Sequence, residues 1–448
     1  MPTPLYDSLK KLAAQHPVRF DMPGHHGAPL PGGLADASLD FTENGRTGDL
    51  FGSGGDAIEA AEDLWAASLG FDGCLFLTGG STQGIHTGLA LLAGAEGAVA
   101  LDRGSHRSAY NALALLGLTP HYLSRPWLAP EGVTGPMEPE TVEQALRAHP
   151  EIKTVCIVSP TYYGVVSDLP AISRVCHAYG ARLMVDGAHG AHLPFLGYRG
   201  YQAADLVVMS AHKTLPAMGQ TALLLANGLT MDELRRMGSV YGSSSPSYLM
   251  MASLDLARDW LAREGADWYR KAVEGVDTLR EHFPSLRPGP LELDPARLVV
   301  RCSDGFQLAE TLREENIFPE MADRNHVVFI FTAAERVETV ARLESALAAA
   351  LASDRPPEDF SHLAPPPLPE QALTPRQALF APRETVPLSQ SEGRVCACQV
   401  APYPPGIPVV APGERIDKKH LAYLERIGYN REQAEVVSGP NEHKEGSL

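Results

Sequence analysis

Short, continuous apolar runs recur along the first two-thirds of this chain, at 74–77, 98–101, 154–158, 182–185, 205–209 and 222–226. They lack the polar alternation of a strand with one wet face, so they predict strands covered on both faces. Helical stretches lie between them, at 57–69 and 85–92 among others, and a long helix is predicted over 253–281. Buried strands alternating with helices predict an α/β fold built on a mostly parallel sheet. The pattern then changes. Strands at 297–302 and 326–331 alternate with helices at 307–315 and 334–351, which predicts a separate, smaller α+β layer. Residues 353–388 carry RPPEDF and APPPLPE and read as a connector with limited structure. A last segment, 393–438, contains YPPGIPVVAPGERI and a helix at 418–427. The expected division is an N-terminal arm at 1–50, a major domain at 51–285, a small domain at 286–352, a connector at 353–390 and a C-terminal domain at 391–448.

Bulk properties narrow the class. At 448 residues the chain exceeds one ordinary core, and 44% hydrophobic with 20% charged residues is a globular composition. No apolar run is long enough to cross a bilayer, and MPTPLYDSLKKLAAQH lacks a secretory-type apolar segment, so a cytoplasmic protein is expected. Cys74, Cys156, Cys176, Cys302, Cys396 and Cys398 are scattered and form no disulfide framework. The net charge of −17 argues against DNA or RNA as a partner. It would favour a cationic substrate, although most acidic proteins are merely soluble.

Candidate chemistry sits at the ends of the apolar runs. VDGAHGAH places Asp186 behind one run, and DLVVMSAHKTL places Lys213 behind the next. A surface lysine after a strand is the ordinary reading of Lys213 alone, and a turn-starting or helix-capping residue that of Asp186. Together they suit a pyridoxal phosphate (PLP) site, with the lysine amine forming the Schiff base and the carboxylate keeping the pyridine nitrogen protonated. The turn GGSTQG, with Ser81, Thr82 and Gln83, lies between a strand and a helix and can hold a phosphate. Ser210 and His212 can add donors from the lysine loop. His106, in DRGSHRS, can stack on the cofactor ring, or serve simply as a loop histidine at a helix start. The histidines are numerous enough to raise a metal reading. His189 and His192 stand three apart, but in a turn rather than a regular helix, and no HExxH or CxxC pair occurs, so no metal is expected.

Taken together, DMPGHHG, TENGRTGDL, FLTGGSTQG, DRGSHRSAYNALALLG, SPTYYGVVSDL, VDGAHGAH, SAHKTL and PYPPGIPVVAPGERI resemble the ornithine/lysine/arginine decarboxylases. These are PLP enzymes of the aspartate-aminotransferase-like fold, and the resemblance is closest to their short bacterial form without an N-terminal wing domain. It covers nearly the whole chain. It implies a PLP-dependent-transferase-like large domain, a smaller α+β domain and a C-terminal domain. It assigns Lys213 as the Schiff-base lysine, Asp186 as partner of the pyridine nitrogen and His106 as the stacking residue. Ser81, Thr82, Ser210 and His212 would surround the phosphate, and His189 would lie near the phenolic oxygen. Thr161 and Tyr162, in SPTYYG, match a segment lining the same pocket. The implied assembly is a homodimer or larger homo-oligomer.

The implied reaction is decarboxylation of arginine, lysine or ornithine to its amine, with Lys213 or His212 as candidate proton donor to Cα. Two departures stand out. Gly187 follows Asp186 where the family usually has an acidic residue. Cys396-Ala397-Cys398 replaces Ser-Ala-Glu or Ser-Ala-Asn, whose last residue reaches toward the pocket. Cys398 is thus a further candidate proton donor, against the ordinary role of a small packing residue. Two alternatives stay open at this point: another PLP reaction, such as transamination or lyase chemistry, and a non-catalytic decarboxylase paralogue.

Overall fold

The structure, a computed structural model, describes residues 2–15, 38–44, 46–52, 56–289, 291–402, 406–429 and 431–438. DMPGHHGAP, with His25 and His26, and the Tyr-Pro-Pro of YPPG lie outside the described residues.

The helices are α1 (Pro4–Ala13), α2 (Ala57–Leu69), α3 (Gly80–Ala93), α4 (Arg107–Leu116), α5 (Pro139–Ala148), α6 (Leu169–Ala178), the single turn α7 (Ala211–Thr214), α8 (Met231–Tyr241), α9 (Tyr248–Trp260) and α10 (Ala266–His282). Beyond them come α11 (Gly305–Glu314), α12 (Val337–Ala350), α13 (Pro375–Phe380) and α14 (Lys418–Arg426). The strands of the main sheet are β1 (Gly73–Leu77), β2 (Ala98–Asp102) and β3 (Thr119–Leu123). After a small hairpin, β4 (Trp127–Leu128) and β5 (Val133–Thr134), follow β6 (Thr154–Val158), β7 (Arg182–Asp186), β8 (Leu206–Met209) and β9 (Ala222–Ala226). Their spatial order is β1-β9-β8-β7-β6-β2-β3. β9 alone runs against its neighbours β1 and β8, so six of the seven strands are co-directional, as the continuous apolar runs predict.

β3 was not legible as a strand, and the reason is its place. It pairs only with β2, at the sheet edge. An edge strand tolerates Pro120 and polar residues because one row of its backbone groups has no ladder partner. The helix after the GGSTQG turn begins at Gly80, five residues earlier than predicted, so Ser81 and Thr82 belong to its first turn. The long helix is interrupted by a π-helical turn at Leu261–Gly265.

α3 crosses the sheet on its glycine face. A Cβ at Gly84 would stand 2.7 Å from Leu77 Cδ1 and 2.8 Å from Val208 Cγ1. Gly84→Ala is therefore expected to cost about 1–3 kcal/mol through overpacking, read as a lower denaturation midpoint with an unchanged slope.

The second sheet has the order β10 (Arg297–Arg301), β12 (His326–Ile330) and β11 (Met321–Ala322), and it packs on α10, α11 and α12 around its own core. The end of the Pro-rich stretch is not spacer. β13 (Arg383–Pro387) pairs antiparallel with β14 (Gln433–Val437), beside an apolar cluster of Cys396, Val400, Val410, Ile416, Leu424 and Val436. All six cysteines are free thiols. No described helix is long and apolar enough to cross a membrane.

Candidate active site

Three parallel strands end side by side and deliver the site. β7 ends on Asp186, which lies in register with Val158 at the end of β6 and with Val208 in β8. This is the carboxyl edge of the sheet, where open α/β folds bind their ligands. β8 runs into Ser210, which precedes α7, and that single turn carries Lys213. The turn is held against the start of β9: the His212 N–H and Nδ1 both meet the Thr221 carbonyl oxygen, at 3.3 and 2.9 Å.

One pocket is lined by Ser81, Thr82, His106, Tyr162, Asp186, His189 and Lys213, among other residues. Lys213 Nζ lies 3.1 Å from His189 Nε2 and 5.9 Å from the centre of the Tyr162 ring. Burial pushes the Lys213 amine below its usual range, opposed by the carboxylates of Asp186 and Glu320. Burial raises the Asp186 carboxyl, opposed by Lys213 and by the Ala188 N–H donated to Oδ1 at 3.1 Å.

At the other end stands the N-terminus of α3. Gly80 takes φ +69°, a left-handed value that suits glycine, and the N-cap Gly79 offers no side-chain cap. The first N–H groups of an α-helix have no intrahelical acceptor, so those of Gly80, Ser81 and Thr82 are donors for an anion. The Ser81 and Ser210 hydroxyls hydrogen-bond to each other and so tie this helix start to the lysine turn.

His106 is the N-cap of α4, and its Nδ1 accepts the Ser108 N–H at 3.3 Å. Burial, with Lys213 and Arg107 nearby, pushes its pKa down to about 4, so the ring is neutral at ordinary pH and presents an apolar face. A carboxylate at one end, helix N–H donors at the other, a neutral imidazole as wall and a buried amine form a donor set that fits PLP.

Other motif residues stand behind this lining. Gln83 Oε1 accepts the Gly79 N–H at 2.9 Å and its Nε2 donates to the Gly238 carbonyl at 3.2 Å, so the side chain holds the turn instead of facing the pocket. Thr161 Oγ1 accepts the Val165 N–H at 3.1 Å. Neither of these two, nor Ser210 or His212, lines the pocket. His189 and His192 diverge, His189 toward Lys213 and His192 toward Asp294, 2.8 Å away, so they do not form a joint metal site. Among the described residues, the three-membered group of metal-ligating type is His121, His149 and Glu151, none of which lines this pocket.

The two departures from the family pattern have physical settings. A Cβ at Gly187 would lie 3.2 Å from Tyr201 Cε1 and 3.3 Å from the Val208 carbonyl oxygen, so a side chain there would press on Tyr201 and the β8 backbone. Cys398 lies outside the pocket of its own chain. Its sulfur is 3.1 Å from an Arg383 guanidinium nitrogen and 3.2 Å from Glu435 Oε2. Burial and Glu435 raise its pKa. Within one subunit it is therefore a partner of Arg383 and Glu435, not a proton donor at Cα.

Sequence reasoning missed the charges that brace the site, because their partners are distant in the chain. Asp102, at the end of β2, binds Arg125 through both carboxylate oxygens and accepts the Gly104 and Val158 N–H groups at 2.8 and 3.0 Å. Arg103 makes a bidentate pair with Glu414 of PGERI at 2.7 and 2.8 Å, joining the C-terminal segment to the loop that carries His106. The Arg103 and Glu414 side chains are only 12% and 1% exposed. Glu414→Ala leaves a buried guanidinium without its carboxylate and is expected to cost about 3–5 kcal/mol, read by chemical denaturation.

A larger cleft of about 620 Å³, bordered by Asp168, Tyr198 and Glu292, contains none of Lys213, Asp186, His106 or His189. Amine, carboxylate and helix N-terminus meet instead in the smaller pocket.

Comparisons with known proteins identify the family and the fold. A family model described as the Orn/Lys/Arg decarboxylase major domain matches residues 3–301, and one described as the C-terminal domain of that family matches residues 359–435. An arginine decarboxylase of Bacillus subtilis (strain 168) is 30% identical, over 98% of this chain and 96% of the relative. The solved lysine decarboxylase LdcF of Francisella novicida has a similar fold, with a TM-score of 0.81 at 19% identity over 97% of this chain and 81% of that one. A structure described as SPT with PLP has a TM-score of 0.54 at 16% identity over 66% of this chain and 76% of that one. The large domain thus has the PLP-dependent-transferase-like fold, and the chain belongs to the Orn/Lys/Arg decarboxylase family.

Proposed function

We propose that this protein holds PLP on Lys213 and decarboxylates a basic amino acid, arginine first among arginine, lysine and ornithine. The observation that carries the reading is the meeting of Lys213, Asp186 and the α3 N-terminus in one pocket at the carboxyl edge of the sheet. Arginine comes first because the Bacillus subtilis relative similar over nearly the whole chain is an arginine decarboxylase.

The bound cofactor supplies an electron sink for the pair of electrons left at Cα when carbon dioxide departs. The residues do the rest. The N–H groups of Gly80, Ser81 and Thr82 would hold the phosphate, with the Ser81 hydroxyl, itself hydrogen-bonded to Ser210, beside it. Asp186, buried and fixed by Ala188, pairs with the pyridine nitrogen. The neutral His106 covers the ring face, and His189 stands beside Lys213. Gln83, Thr161 and His212 support this lining from behind. Of the three sequence candidates for the Cα proton, Lys213 lines the pocket, whereas His212 is turned to Thr221 and Cys398 to Arg383 and Glu435. Lys213 is therefore the remaining candidate for that role.

A homo-oligomer and a cytoplasmic location complete the proposal, the latter supported by six free thiols. The test supplies PLP and then carboxyl-labelled arginine, lysine and ornithine. The reading requires labelled carbon dioxide and the matching amine in equal amounts from at least one of them. A keto acid product, or no product from any, would discard it.

A further inference from the structure

A line of buried polar groups runs from the second sheet into the pocket. His192 Nε2 lies 2.8 Å from Asp294 Oδ1, and Asp294 Oδ2 lies 3.4 Å from an Arg297 guanidinium nitrogen. Arg297 opens β10, and the same nitrogen donates to the His189 carbonyl oxygen at 3.2 Å. Its other terminal nitrogen faces His189 Nδ1 at 3.4 Å. His189 Nε2 in turn faces Lys213 Nζ at 3.1 Å. Arg297 is 1% exposed, Asp294 and His192 0%, and His189 3%, so water does not compete for these contacts.

A guanidinium has five N–H donors and no acceptor, and it stays charged in proteins. The ring nitrogen facing it must therefore present a lone pair. A neutral imidazole carries one N–H and one lone pair, so Nδ1 accepting from Arg297 leaves the hydrogen on Nε2. That hydrogen points at Lys213. An ammonium has no lone pair to receive it; a neutral amine has one. An imidazolium is excluded by the same reasoning, since its Nδ1–H would oppose the guanidinium.

We propose that Arg297 is a positioning residue: it fixes His189 as the Nε2–H tautomer and so selects the uncharged, nucleophilic amine of Lys213. This rests on the reading of Lys213 as the cofactor lysine. The amine's lone pair forms the new C–N bond with the cofactor aldehyde, whose oxygen leaves as water. The surrounding charges agree. Burial, then Lys213 and Arg297, with smaller contributions from His106 and His192, hold the His189 ring neutral. Burial and Arg297 lower Lys213 against the pull of Asp186 and Glu320. Asp294, paired with both His192 and Arg297, keeps the guanidinium in place.

The first test is nitrogen NMR of cofactor-free protein labelled in histidine, with the His189 signals assigned by their loss in His189→Gln. The expected result near neutral pH is a neutral ring with the proton on Nε2. A proton on Nδ1, or an imidazolium, overturns the proposal without any variant of Arg297 having to fold. The second test follows the rate at which added PLP gains visible absorbance, as a function of pH. In Arg297→Met the midpoint of amine reactivity should rise by about one pH unit, a tenfold loss of free amine at fixed pH. Arg297→Lys keeps the charge but leaves the tautomer mixed, so its midpoint should also rise; a midpoint that stays at the wild-type value with a mixed tautomer would show that charge alone acts and would overturn the proposal. A slower rate with no midpoint shift in Arg297→Met would make Arg297 merely structural and overturn the proposal. If the wild type gains no absorbance at all, the cofactor reading falls, whatever tautomer His189 shows.

Discussion

Lys213→Ala is expected to abolish both turnover and the visible absorbance of the cofactor-loaded protein, while the chain stays folded. Turnover should fall by roughly 10⁴–10⁶-fold, the range for removing a covalently acting residue. The fold should be indifferent. The amine is buried beside His189 and below its usual pKa, and removing a desolvated group hydrogen-bonded to His189 changes stability by about 1 kcal/mol or less. An unchanged melting temperature with lost absorbance separates this outcome from simple unfolding. Retained absorbance would place the cofactor on another lysine.

Asp186→Asn distinguishes the two readings of that residue. Asparagine keeps the shape and the Oδ1 acceptor for the Ala188 N–H, so the turn after β7 should survive with its stability intact. What it loses is the charge. Removing one preorganised charge from a buried site costs about 10²–10³-fold in turnover, and that is the expected loss, with PLP still binding. If turnover is unchanged, Asp186 is only a turn residue and the electron-sink reading loses its support. Activity and stability are both needed, because a carboxylate raised by burial and opposed by Lys213 can affect either.

How far the sequence carries depends on whether a feature is local. β6, β7, β8 and β9 were legible because strands covered on both faces leave no polar alternation, and all four are buried throughout apart from Arg182 at the start of β7. β3 was not, because an edge strand obeys neither the apolar nor the no-proline rule. Lys213, Asp186, His106, Ser81 and Thr82 were legible as candidates because each sits where a strand or helix begins or ends. Gln83, Thr161 and His212 lie in the same motifs, yet their side chains are engaged behind the pocket, a matter of orientation that residue type does not encode. Arg297 and Glu414 were invisible. Arg297 meets His189 from another sheet, and Glu414 meets Arg103 from the C-terminal segment, so no periodicity or short motif links either pair. Cys398 was read by alignment of motifs, and the fold instead gives it Arg383 and Glu435 as neighbours.

The most direct test of the central claim is reductive trapping. PLP is added to the purified protein, the lysine linkage is reduced with borohydride, and the adduct is mapped by peptide mass. The account predicts one pyridoxyl adduct per chain, on Lys213 in Ser-Ala-His-Lys-Thr. An adduct on a different lysine, or none, would contradict it.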